Sequence, residues 1–142
     1  MEKIVSQTES RNTTPPLIFN SGSGLTPENR VSAADLVQLL DKVSHQMSLF
    51  PEFLSALAIP GKEGTLKNRF PALSQGGFET NLRAKTGTLS EPMDVATLAG
   101  YDRLKNGNWC AFAILVNSEK KNMGLSSIRA AIDSDLLNIL HQ

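Results

Sequence analysis

The sequence is poor in the residues that hold small folds together through covalent or metal bonds: its 142 residues include one cysteine and two histidines. Cys110 alone cannot close an intramolecular disulfide, and His45 and His141 are too far apart in sequence to form a zinc pattern. Metal catalysis therefore has no support. An excess charge of one sign is also missing. The 14 basic residues balance the 14 acidic ones, so no net field draws in DNA, RNA or an anionic membrane. No stretch approaches the roughly 18 apolar residues of a membrane span. The opening "MEKIVSQTES" has no apolar run behind a basic segment. As it stands, the sequence is expected to carry neither an export signal nor a membrane span.

What is present is an ordinary globular balance. With 40% hydrophobic and 20% charged residues, a chain of this length makes one domain with a modest core. Residues 1–16, ending "RNTTPP", are polar and β-breaking and read as a flexible lead-in, leaving 17–142 as the folded unit. "PLIF" predicts a short strand, and "NSGSGLTPENR" a long loop. Ala33, Leu36, Val37, Leu40, Val43 and Met47 then recur at helical spacing. Ser32 is placed as the N-cap, with Asp35 completing an approximate capping box. A shorter helix is predicted from Pro51, stopping before Pro60-Gly61.

After the turn-rich "GKEGTLKNRF" and "LSQGG", "TNLRAKT" alternates Leu82, Ala84 and Thr86 with Arg83 and Lys85, as a half-exposed strand does. "VATLAGY" predicts a second strand, which Asn106-Gly107 would turn into "WCAFAILVN". Those nine residues are nearly all apolar, as in a strand covered on both faces. Leu125, Ile128, Ile132, Leu136 and Ile139 mark a terminal helix capped near Ser126 or Ser127. Hairpin-linked strands with helices against them give an α+β class with a mostly antiparallel sheet.

Lys85-Thr86-Gly87 is the candidate for chemistry. At a cleft rim, an ammonium and a hydroxyl can hold a carboxylate, and glycine lets a ligand backbone approach closely. The next backbone N–H, that of Thr88, can face an oxyanion. The plain alternative is a strand end with a solvated lysine. Such a tripeptide turns up by chance in roughly one chain in thirty of this size, so alone it leaves both readings open.

The neighbours decide between them. "GSGL" at 22–25, "NRVS" at 29–32, "GTLKNRF" at 64–70, "AKTGTL" at 84–89, "LAGY" at 98–101 and "FAILVN" at 112–117 occur in order. Together they resemble the C-terminal part of the class C low-molecular-mass penicillin-binding proteins, the serine D-alanyl-D-alanine carboxypeptidases and endopeptidases. The resemblance implies the C-terminal portion of a transpeptidase-like fold shared with β-lactamases, its antiparallel sheet carrying helices on its faces and its active site beside an edge strand. It also implies a serine that attacks the terminal D-Ala-D-Ala amide of peptidoglycan stem peptides, an acyl-enzyme resolved by water, and acylation of that serine by β-lactams. No cofactor is implied, and the family works in the periplasm or cell envelope. Lys85, Thr86 and Gly87 match the family's third motif: Lys85 near the nucleophile, Thr86 on the substrate carboxylate, and the Thr88 N–H in the oxyanion hole.

The family's S-x-x-K and S-x-N motifs belong upstream of "GSGL", and no credible match lies there. "SEKK" at 118–121 is on the wrong side of the Lys-Thr-Gly motif; "SRN" at 10–12 falls in the lead-in. The expectation is therefore a partial domain without its nucleophile, inactive alone. It would be prone to self-association through an exposed edge and an uncovered apolar face, or complemented by the missing N-terminal part. A peptide-binding remnant, or a β-lactamase or esterase of the same fold, are the alternatives.

Two departures from the family pattern stand out. Ser21 replaces the usual Asp or Asn before "GSGL", and "SEPMD" lengthens the turn after the motif, with Pro92 unable to pair. His45 is assigned to a helix end, Cys110 to the core, Trp109 to hairpin packing and His141 to a fraying end. "NTT" at 12–14 matches a glycosylation acceptor without other support.

Overall fold

The computed structural model describes residues 16–70, 81–118 and 124–140. Residues 1–15 of the lead-in, with "SRN" and "NTT", together with "LSQGG", most of "SEKK" and His141, lie outside the described residues.

Helix α1 spans Ala33–Ser44 and starts as its sequence dictates. The Ser32 hydroxyl accepts from the Asp35 N–H at 3.1 Å, and the Asp35 carboxylate accepts from the Ser32 N–H at 3.0 Å. Those bonds from Ser32 hold the Asp35 carboxyl below its ordinary range. At the other end, His45 Nδ1 bonds the Asp41 carbonyl at 2.7 Å, capping the helix. Met47 lies past that end and is 90% exposed, so it is not part of the apolar face its spacing predicted. Helix α2, Phe50–Ser55, carries Pro51 in its first turn and stops before Pro60, and a 3-10 turn follows at Gly64–Leu66.

Strands β1 (Leu82–Leu89), β2 (Val95–Arg103) and β3 (Trp109–Asn117) form an antiparallel sheet in that order, and helix α3 covers Leu125–Leu140. The β2–β3 turn runs Leu104–Gly107, with the Gly107 N–H donating to the Leu104 carbonyl at 2.8 Å. Gly107 takes φ 85°, the left-handed conformation that glycine adopts without steric cost. Residues 91–93, including Pro92, sit in the bend between β1 and β2, outside the strands.

Two further expectations are corrected. "PLIF" is reduced to a single bridge from Ile18 to Arg30, and Leu17 and Phe19 are exposed. The segment is shaped instead by polar bonds: Asn29 Oδ1 accepts from the Asn20 and Ser21 N–H groups, and Asn29 Nδ2 donates to the Ser21 carbonyl at 2.9 Å. Ser21 itself accepts from the Ser23 N–H. The terminal helix is not capped by Ser126 or Ser127. It starts directly behind Gly124, at φ 89°, whose carbonyl accepts from the Ser127 and Ile128 N–H groups.

Both faces of the sheet are covered among the described residues. On one, Leu66, Phe70, Leu82, Ala84, Leu98 and Phe112 pack on Ile128, Ile132 and Leu136 of α3. On the other, Tyr101 and Ala111 pack on Val37, Leu40 and Leu57, flanked by Phe50 and Trp109. Trp109 thus packs at the hairpin base, 6.2 Å edge-on from Phe50, and Cys110 is buried. The uncovered apolar face anticipated for a partial domain is not seen on these three strands.

Tyr101 ties the second layer together. Its hydroxyl donates to the Leu40 carbonyl of α1 at 2.7 Å. Burial, helped by the Asp41 carboxylate, pushes the phenol from 10.0 up to about 12. The folded state therefore keeps this proton where the unfolded chain loses it. The contribution is whole below the ordinary tyrosine range and is lost as pH rises towards the folded value. Tyr101→Phe should cost about 1 kcal/mol near neutral pH and should flatten the alkaline loss of stability in urea midpoints.

Gly100 sets the spacing of β1 against β2. It lies opposite Ala84, and a Cβ on it would meet the Arg83 carbonyl oxygen at 2.0 Å and Ala84 Cα at 2.7 Å. Because the obstacle is backbone, Gly100→Ala must displace β1, at a cost of about 1–3 kcal/mol or more in denaturant unfolding. A fully stable Gly100→Ala variant would contradict this packing.

Candidate active site

The site is built on the outer edge of β1. Ala84 turns its backbone outward, donating to the Ala58 carbonyl and accepting from the Ala58 N–H, both at 3.1 Å. Ala84 and Gly100 therefore form a narrow pair with no mutual hydrogen bonds, which is why glycine stands there. Strand alternation carries the consequence forward: Thr86 and Thr88 also direct N–H and C=O outward, while Lys85 and Gly87 bond to β2. The Ala58 segment pairs at a single residue, so no described strand covers β1 beside Thr86 and Thr88.

Side chains alternate in the same way. Thr86 and Thr88 stand over the face that carries α3, and the Thr86 hydroxyl meets the Thr65 hydroxyl at 2.7 Å. Arg129, in the first turns of α3, donates from Nη2 to the Thr88 hydroxyl at 3.3 Å. These groups line an open cleft of about 430 Å³ together with Gly64, Lys67, Asn68 and Arg69. Lys85 points to the opposite face, is exposed, and folds its ammonium around the edge onto the Thr86 carbonyl at 2.6 Å. Gly87 lies against Thr97, whose hydroxyl would be 2.5 Å from a Cβ at that position.

Of the four residues singled out in the sequence, the structure brings Thr86 and Thr88 into the cleft. It sets Lys85 and Gly87 behind them in β1. Sequence reasoning missed Thr65, Arg69, Arg129 and Asp133. "GTLKNRF" was noticed as a landmark, which held a signal for Thr65 and Arg69. Arg129 and Asp133 had none, being ordinary charged positions on an amphipathic helix.

Arg69 is fixed in the cleft wall. Its guanidinium makes a forked contact with the Asp133 carboxylate of α3, Nε reaching Oδ2 at 3.1 Å and Nη2 reaching Oδ1. Both side chains are largely buried, at 12% and 20% exposure, so the pair is weakly screened. The next residue, Phe70, is buried in the left-handed region at φ 57°, with the Arg69 guanidinium 5.4 Å from its ring centre. A non-glycine residue holds such a backbone only where its surroundings impose it. Here they are the Phe70 socket and the Arg69–Asp133 tie. Among the described residues, no group of His, Cys, Asp and Glu could hold a metal ion. No helix there is long and apolar enough to cross a membrane.

An antiparallel sheet with helices on its faces and a Lys-Thr-Gly edge strand beside a hydroxyl-lined, cationic cleft fits the penicillin-binding-protein class of fold. The family model of the D-Ala-D-Ala carboxypeptidase 3 (S13) family matches residues 10–138, and the chain belongs to that family. No curated protein matches it.

A double-mutant cycle on Arg69→Ala and Asp133→Ala, read by urea unfolding, should return a coupling of about 1–3 kcal/mol. Coupling near zero would mean that the tie does not hold the cleft wall.

Proposed function

We propose that this polypeptide forms the substrate-holding and oxyanion-forming wall of a serine D-Ala-D-Ala carboxypeptidase of the cell envelope, and that by itself it holds stem peptides without hydrolysing them. The observation that carries the reading is the outward-facing edge at Thr86 and Thr88, beside a cationic cleft, in a chain with no S-x-x-K ahead of Lys85.

In the complete reaction a serine oxygen adds to the carbonyl of the D-Ala-D-Ala amide. The charge that develops on the carbonyl oxygen falls to the Thr88 N–H and a second donor. Collapse breaks the C–N bond and releases D-alanine, whose amine takes a proton; water then cleaves the ester and restores the serine. Thr86 offers its hydroxyl to the carboxylate of the leaving residue. Lys85 raises the local potential in which a serine and its base would work. Every one of these contributions is binding or electrostatic. None replaces a nucleophile, so acylation does not proceed from this chain's residues alone.

A second reading, a peptide-binding module with no catalytic partner, draws on the same observation. A complementing N-terminal polypeptide would separate the two by restoring hydrolysis.

Incubating the purified chain with a fluorescent penicillin should leave no covalently labelled band after denaturing electrophoresis. A band that survives denaturation and disappears with excess unlabelled penicillin would overturn the claim that the nucleophile is missing.

A further inference from the structure

The cleft carries more positive charge than its ion pairs consume. Three cationic side chains line it, Lys67, Arg69 and Arg129, and among the described residues no acidic one does. Arg69 is engaged by Asp133, which uses its guanidinium fork for packing α3 against the turn at residue 69. Arg129 stands one helical turn before Asp133 on α3 and would be its natural i,i+4 partner. That carboxylate is already taken. Arg129 instead rests on a neutral acceptor, the Thr88 hydroxyl.

Its position is as telling as its charge. Thr88, like Thr86, directs its backbone N–H outward from the edge, and the Arg129 guanidinium is held by the side chain of the residue that would meet an oxyanion. A leaving D-alanine places its carboxylate one residue from the scissile carbonyl, at most about 3.5 Å of chain. A planar fork of donors anchored at Thr88, with the linked Thr65 and Thr86 hydroxyls beside it, suits a carboxylate at that distance. The Thr88 hydroxyl is a weak partner that a carboxylate displaces from the guanidinium with gain.

We infer that Arg129 is the specificity-determining residue that makes the cleft select ligands ending in a free α-carboxylate over the same ligands ending in a neutral amide. This rests on the reading of the cleft as the peptide-holding wall. Arg69 shapes the cleft and Arg129 reads the charge.

The test is titration of the purified full chain with N-acetyl-D-Ala-D-Ala and with its C-terminal amide, by calorimetry or amide-shift NMR. The wild-type chain should bind the acid about tenfold or more tightly than the amide, as one charged hydrogen bond in an open cleft provides. In Arg129→Gln the ratio should fall towards one through loss of affinity for the acid, with the amide unchanged. Arg129→Lys should recover part of the preference and guards against a folding defect in the first variant. An unchanged ratio in Arg129→Gln overturns the assignment to Arg129 and leaves the proposed function standing. Equal binding of acid and amide by the wild type overturns carboxylate selection while leaving peptide holding intact. If neither ligand binds, both the inference and the proposed function fall.

Discussion

The narrow pairing of Ala84 with Gly100 is the constraint on which the candidate site depends. It fixes which residues of β1 face β2 and which face outward. A shift of one residue would turn the backbone of Thr86 and Thr88 into the sheet and present Lys85 and Gly87 at the edge instead. Close packing on Gly100 within and two hydrogen bonds to Ala58 without set this parity just upstream of the motif, after which the outer edge is released. Gly100 is thus a site residue in effect, although it touches nothing in the cleft.

The second organising feature is that three separate chain segments meet at Thr86 and Thr88. The 3-10 turn brings Thr65, β1 brings the two threonines, and α3 brings Arg129. Each is carried by rigid structure with apolar anchors below it: Leu66 under the turn, Leu82 and Ala84 in β1, and Ile128, Ile132 and Leu136 in α3. The apolar cluster and the cleft are two sides of the same packing, so the polar groups are spaced by the core beneath them.

Much of this was legible in the sequence wherever local chemistry and pattern agreed. Ser32 and Asp35 announced α1, and the capping box is present as written. Alternation in "TNLRAKT" and the apolar run in "WCAFAILVN" gave β1 and β3 their faces. The order of six short landmarks located Lys85 to Thr88 within a family. What failed was decided by tertiary context. "PLIF" has strand propensity, but one bridge to Arg30 is all the pairing it obtains. Met47 kept the helical spacing after the helix had closed on His45. The pairings that build the cleft could not be read, even where a landmark covered one partner: Arg69 and Asp133 are 64 residues apart, and Thr88 and Arg129 are 41. Nothing local marks either helix residue as part of a site.

The ammonium of Lys85 resting on the Thr86 carbonyl has a consequence for solubility. A strand edge with free donors and acceptors is a template on which another polypeptide can add itself, and long flat edges of this kind drive aggregation. This one cannot be covered permanently if peptides are to reach it. An exposed charged side chain lying over the outward carbonyl resolves the conflict, because a chance strand must displace the cation to pair there. The edge is thereby left uncovered by other strands and yet guarded against chance pairing.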